Sequence, residues 1–162
     1  MMKTYQSDGK APYPIYSAEV GRFQELPALS YPSKYFVLFL IADFEIVSCE
    51  EITEIAKQLI DRGLAHICLW GPSCEKAHTA FDLANIAWEE ANGRKFPVYS
   101  DAYHNEPIED ALWSAIYCAS VDDPIWEQAT TICVTVANQE WKNFIEHNLS
   151  ELNSFNERMT NA

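Results

Sequence analysis

The chain has 162 residues, 48% of them apolar and 13% aromatic, which is enough to bury the core of one domain and excludes global disorder. Twenty-four acids against eleven bases give a formal charge of −13, a surface that repels phosphate backbones and anionic lipid. Nucleic acid and membrane are therefore not expected as partners, whereas basic proteins and cations are compatible.

Residues 1–33 read as an extended arm. Pro12, Pro14, Pro27 and Pro32 oppose a helix, and Tyr5, Tyr13, Tyr16 and Tyr31 supply rings that pack on the domain or on a partner. Within the arm, Ile15 to Val20 fits a short edge strand. The α/β domain proper is expected over residues 34–158, opening with a continuously apolar strand from Tyr35 to Ala42. That run is far short of the roughly 20 residues of a membrane-spanning helix.

Ser48 begins S-C-E-E, the spacing of a capping box with Glu51. Ile52, Ile55, Ala56, Leu59 and Ile60 then recur with the helical period, and Gly63 supplies the stop. Ala65 to Trp70 is the second strand. Ser73 opens the next helix, whose inner face carries Ala77, Ala80, Phe81, Ala84, Ala87 and Trp88 and which ends near Asn92-Gly93. Phe96 to Ser100 reads as the third strand. Asn105 is positioned to cap a helix with Pro107 in its first turn and Ile108, Ala111, Leu112, Ala115, Ile116 and Ala119 inside. Thr130 to Ala137, rich in β-branched residues, is the fourth strand. Asn138 caps a last helix with Trp141, Phe144, Ile145, Leu149, Leu152 and Phe155 as its apolar stripe.

Strand–helix alternation of this kind predicts a single three-layer α/β domain, a mostly parallel four-stranded sheet with helices on both faces. The expected order of those four strands is 2-1-3-4, as in flavodoxin-like and related Rossmannoid folds. In such a sheet ligands bind outside the carboxyl ends of the strands. That edge gathers a ligand rim of Asp43, Trp70, Gly71, Ser73, Asp101 and Glu106.

Cys74 is the sharpest single candidate. A thiol in the first turn of a helix meets free N–H groups and the positive end of the dipole, which favours the thiolate. His78 lies one turn on as a base, and His104, beside Asp101 and Glu106, offers a second acid–base group. Against this stands simple packing of a small side chain under the turn. Cys74, His78 and His104, with Asp101 or Glu106, also have metal-ligand chemistry, but no C-x2-C pair supports a bound ion, and neither metal nor cofactor is expected. His66 and His147 read as structural. No G-x-G-x-x-G, Walker, G-x-S-x-G or H-E-x-x-H pattern occurs.

From Phe96 to Glu140 there is no Lys or Arg. Glu109 and Asp110 sit beside Trp113 and Tyr117 in that stretch, and acids around aromatic anchors suit recognition of a basic protein surface. The competing reading is a solvated helix face whose rings complete the core. Cys49, Cys68, Cys74, Cys118 and Cys133 lie in or beside apolar runs, and MMKTYQSDGK is polar with no apolar run after it. Reduced thiols of a cytoplasmic protein are expected.

Cys68, Trp70, Gly71, Pro72, Cys74, Glu75 and His78, then His104, Glu106, Glu109, Ala111, Leu112 and Trp113, carry a resemblance. The chain resembles a family of small uncharacterised bacterial α/β domains with Cys-x-Trp-Gly-Pro-x-Cys-Glu-x-x-His, a domain of unknown function. The likeness spans residues 35–137. It implies bacterial or phage origin and an α/β fold, and it carries no mechanism.

The leading functional expectation is a cytoplasmic, non-catalytic interaction or regulatory module, of the acidic immunity or defence-accessory kind, with a protein partner of basic character. The rival is a Cys- or metal-dependent, hydrolase-like enzyme at the strand edge around Cys74, His78 and His104. A small-ligand sensor at the same rim is the third.

Overall fold

The apolar run after Ser33 becomes the centre of the molecule. In the computed structural model, which describes residues 2–93 and 96–161, it forms strand β3 (Tyr35–Ile41), with every residue from Phe36 to Ile41 fully buried. Covered on both faces, β3 pairs in parallel with β4 (Leu64–Trp70) on one side and β6 (Ala129–Val136) on the other.

Beyond β4 lies the short β5 (Tyr99–Ala102); beyond β6 lie β2 (Ile15–Val20) and then β1 (Lys3–Tyr5). The six-stranded order is β1-β2-β6-β3-β4-β5, with only β1 antiparallel to its neighbour. The mixed, mostly parallel α/β sheet is as expected, but its strand count and order are not. The four expected strands stand in the order fourth, first, second, third. The physical reason lies in β5. Its Tyr-Ser-Asp-Ala sequence is exposed at alternate residues and cannot fill a position buried on both faces beside β3, so it takes the edge. The β-branched β6 occupies the inner place instead.

The helices follow from that order. α1 (Cys49–Arg62) and α2 (Cys74–Asn92) cover one face as the chain steps from β3 to β4 to β5. α3 (Ile108–Tyr117) carries the chain back across the other face to β6, and α4 (Gln139–Ser150) and α5 (Leu152–Thr160) lie on that same face. Right-handed crossovers require this reversal of face when the direction of travel reverses.

Residues 1–33 supply β1 and β2, with Ile15 to Val20 in register against Thr131 to Val136, inside the sheet rather than at its edge. Phe23 and Leu26 are buried in the following 3-10 turn, and Tyr31 stacks on Phe36 at 4.2 Å while its hydroxyl donates to the Leu26 carbonyl.

Local signals mostly hold. Ser48 Oγ accepts from Glu51 N–H, Asn138 Oδ1 accepts from Trp141 N–H, and the α1 stripe is buried as spaced. The third strand begins at Tyr99, after Pro97, which has no N–H for a ladder. Pro107, not Asn105, occupies the N-cap of α3, because Asn105 turns the chain with φ 60°. The last helix is broken at Glu151 into α4 and α5.

Gly71, after β4, has φ 132°, and a Cβ there would meet the Ala42 carbonyl oxygen at 1.9 Å. The close approach lets Ala42 N–H donate to the Trp70 carbonyl, so the ends of β3 and β4 stay joined. Gly71→Ala is expected to lower the unfolding free energy by about 2 kcal/mol or more, through strain and a forced shift of the β3 end. Urea unfolding followed by circular dichroism reads the loss, and an unchanged midpoint would show that the turn yields freely.

Candidate functional site

The connections leaving the carboxyl ends of β3 and β6 run to opposite faces, toward α1 and α4. Adjacent strands with diverging connections leave a crevice between them. Here it measures about 440 Å³, and Phe23, Val47 and Trp141 give it apolar walls while Arg22, Asp43 and Asn138 bring polar groups to it. Ile46, on its lip, is 81% exposed. Asp43 Oδ1 accepts from Glu45 N–H and so fixes the turn that raises Ile46. At the end of β6, Ala137 holds φ 49°, a left-handed conformation unusual for a residue with a Cβ.

Of the expected rim, Asp43 lines this crevice, and Trp70, Gly71, Ser73 and Glu106 follow the edge toward β5. Trp70 Nε1–H donates to the Glu106 carbonyl at 2.8 Å, and the Trp70 ring meets Trp141 edge-to-face at 5.6 Å. The side chain of Glu106 is exposed. Ser73, with φ 59°, makes no capping bond; its hydroxyl lies 3.5 Å from Glu45 Oε1. Gly71 is held by its closeness to Ala42, as described.

Cys74, His78 and His104 do not form one group. Cys74 is 1% exposed and belongs to the core beneath α2. Burial raises its pKa and the Glu75 carboxylate adds to the rise, outweighing the local N–H groups expected to lower it. His78 Nε2 instead lies 3.0 Å from Ser100 Oγ, which donates to Asp82 Oδ1 at 2.6 Å. His104 Nδ1 faces Glu75 Oε2 at 3.1 Å, both side chains being more than half exposed. Ligand atoms of Cys74, Glu75 and His104 come within 4.8 Å of one another, but His78 is not among them.

Asp101 leaves the rim for β4. Its Oδ2 lies 2.6 Å from Nε2 of the buried His66, whose Nδ1 is 2.8 Å from the Ser120 carbonyl. Burial pulls the His66 pKa down, yet the Asp101 carboxylate, Cys68 and the Ser120 carbonyl together raise it to about 10. The hydrogen bond from His66 leads in holding Asp101 below the usual carboxylate range, against its own partial burial. His66, expected to be merely structural, thus anchors a polar group that sequence reasoning missed. Its signal was H-x-C within a strand, which puts both side chains on one face; only the register of Cys68 against Asp101 reveals the acid.

On α3, Glu109 and Asp110 stand in the first turn, where negative charge favours the helix. Trp113 and Tyr117 are engaged within the chain. Trp113 Nε1–H donates to Asn156 Oδ1, the Tyr117 hydroxyl donates to Asp8 Oδ2 at 2.6 Å, and the rings lie 5.6 Å apart.

A family model described as Domain of unknown function (DUF7684) matches residues 15–152. The chain belongs to this family. No curated protein and no solved structure matches it. The DUF7684 match begins at the first residue of β2, so the family unit takes in that strand as well as the sheet centre. Among the described residues, no helix is long and apolar enough to cross a membrane.

Thiol labelling separates the two readings of Cys74. At neutral pH, iodoacetamide is expected to modify the exposed Cys49 and Cys118 first, sparing Cys68, Cys74 and Cys133 until the chain unfolds. Peptide mass mapping reads this, and Cys74 labelled as fast as Cys49 would restore the reactive thiol. Tyr117→Phe is expected to cost about 1 kcal/mol by removing the bond to Asp8, as chemical denaturation would measure.

Proposed function

We propose that this DUF7684 chain is a non-catalytic protein-interaction or regulatory domain of the cytoplasm, receiving a basic segment with an apolar tip from a partner protein. The observation that carries the reading is the crevice between the diverging β3 and β6 connections, with its apolar walls and the exposed Ile46 on its lip. Apolar anchors inside a polar rim are the anatomy of an interaction site. Asp43 lines it, Glu45 and Glu140 adjoin the lining residues Ile46 and Trp141 in sequence, and Glu75 and Glu106 lie farther along the same edge. Among the described residues Arg22 is the only basic side chain in the lining, and the Lys76 ammonium is tied to the Val47 carbonyl. Acids so placed steer a positively charged segment and set its orientation.

The reading places binding on the crevice rather than on Trp113 and Tyr117, whose polar atoms are already partnered within the chain. It is favoured over the hydrolase-like alternative because Cys74 is sealed in the core and His78 and His104 each serve a different neighbour. Five unpaired cysteines suit a reducing compartment.

The test is binding of the full chain to arrayed peptides rich in Lys and Arg that carry one aromatic or aliphatic residue, with acidic peptides as control. Salt-sensitive binding of the basic set is expected. Ile46→Asp and Glu45→Lys should each weaken it about tenfold, the scale of one hot-spot contact. Equal binding of basic and acidic peptides, or indifference to both substitutions, would overturn the reading.

A further inference from the structure

Away from the crevice, β4 and β5 bring together three donors of different chemistry. We propose that His66, Cys68 and Asp101 form a binding site for a divalent transition-metal ion, zinc by the character of its donors. Imidazole nitrogen, thiolate sulfur and carboxylate oxygen are the ligand set zinc takes, and three protein ligands leave a fourth position for water.

Backbone geometry places the donors. His66 and Cys68 alternate onto the same face of β4, and Cys68 stands directly across the ladder from Asp101. One donor atom from each of the three lies within 4.8 Å of the others. Tetrahedral zinc, with bonds of about 2.0–2.3 Å, holds its ligand atoms roughly 3.3–3.8 Å apart. Small side-chain rotations therefore suffice: the His66–Asp101 contact opens from 2.6 Å and the thiol closes on it. Binding displaces the Cys68 thiol proton and the Nε2 proton of His66 to solvent.

The surroundings favour the site. The Ser120 carbonyl lies 2.8 Å from Nδ1 and the Ser120 N–H 3.2 Å from it, contacts that hold the ring with Nε2 turned toward Asp101. With an ion on Nε2, the Nδ1–H would donate to that carbonyl, the outer-shell arrangement of metal-binding histidines. His66 and Cys68 are buried, while the Asp101 side chain is 52% exposed on the edge strand, giving an ion its way in. The other mixed group, Cys74, Glu75 and His104, lacks this support, since two of its side chains are more than half exposed.

Chelator-treated full-length chain titrated with cobalt(II) tests the proposal. One equivalent is expected to bind with a sulfur-to-cobalt charge-transfer band in the near ultraviolet, and zinc should bleach it. Zinc should also raise the melting temperature, while magnesium leaves it unchanged. Cys68→Ser should abolish the band, and Asp101→Asn, altering a half-exposed edge residue, should weaken zinc binding about tenfold or more. Cys74→Ser and His104→Gln should leave both readouts intact. Absence of the band in the unaltered chain, or its loss in Cys74→Ser but not in Cys68→Ser, would overturn the assignment whatever the folding of the variants.

Discussion

Burial of β3 on both faces and both edges is the constraint from which the remaining arrangement follows. Phe36, Leu38 and Leu40 point to the layer of α1 and α2, while Val37, Phe39 and Ile41 point to the layer of α3, α4 and α5. A fully buried side chain of this size contributes about 1.5–3 kcal/mol, so this one strand ties both cores together. Its backbone is equally committed, to β4 along one edge and β6 along the other. A central strand with no free group forces its neighbours to be apolar and sends polar strands outward.

The site inherits its place from the same constraint. Because β3 and β6 lie side by side and send their connections to opposite faces, the crevice forms where they part. The residues with the most conspicuous chemistry in the sequence lie elsewhere on that edge. Cys74 has the helix-start position expected of an activated thiol, yet the turn before α2 packs against the end of β3, with Phe44 N–H donating to the Pro72 carbonyl. Sealed beneath that turn, the thiol loses more from desolvation than it gains from the helix end.

Aromatic residues show the same competition between local promise and tertiary use. Trp113 and Tyr117 stand among acids, as an exposed recognition patch would require. α5 and the loop before β2 reach them first, through Asn156 and Asp8. Trp70 and Trp141 come from β4 and α4 and meet edge-to-face at the strand ends. Asp101 is drawn away from its neighbours in sequence by an imidazole 35 positions earlier.

Sequence alone determined what short-range physics controls. The alternation of β and α elements, the apolar centre from Phe36 to Ile41, the caps at Ser48 and Asn138 and the stop at Gly63 all depend on contacts within a turn or two. The third strand is expected over Phe96 to Ser100 and inside the sheet, with Asp101 beyond it on the rim; that Tyr99 and Asp101 share the exposed side of an edge strand came only with the fold. Tertiary structure alone decided the strand order, the inclusion of Ile15 to Val20 within the sheet, and the sorting of the reactive side chains into separate groups. Such outcomes depend on which strands lie side by side and on how much water each group loses there. No spacing along the chain records those quantities, because residues such as His66 and Asp101 meet only when the ladder between their strands has closed.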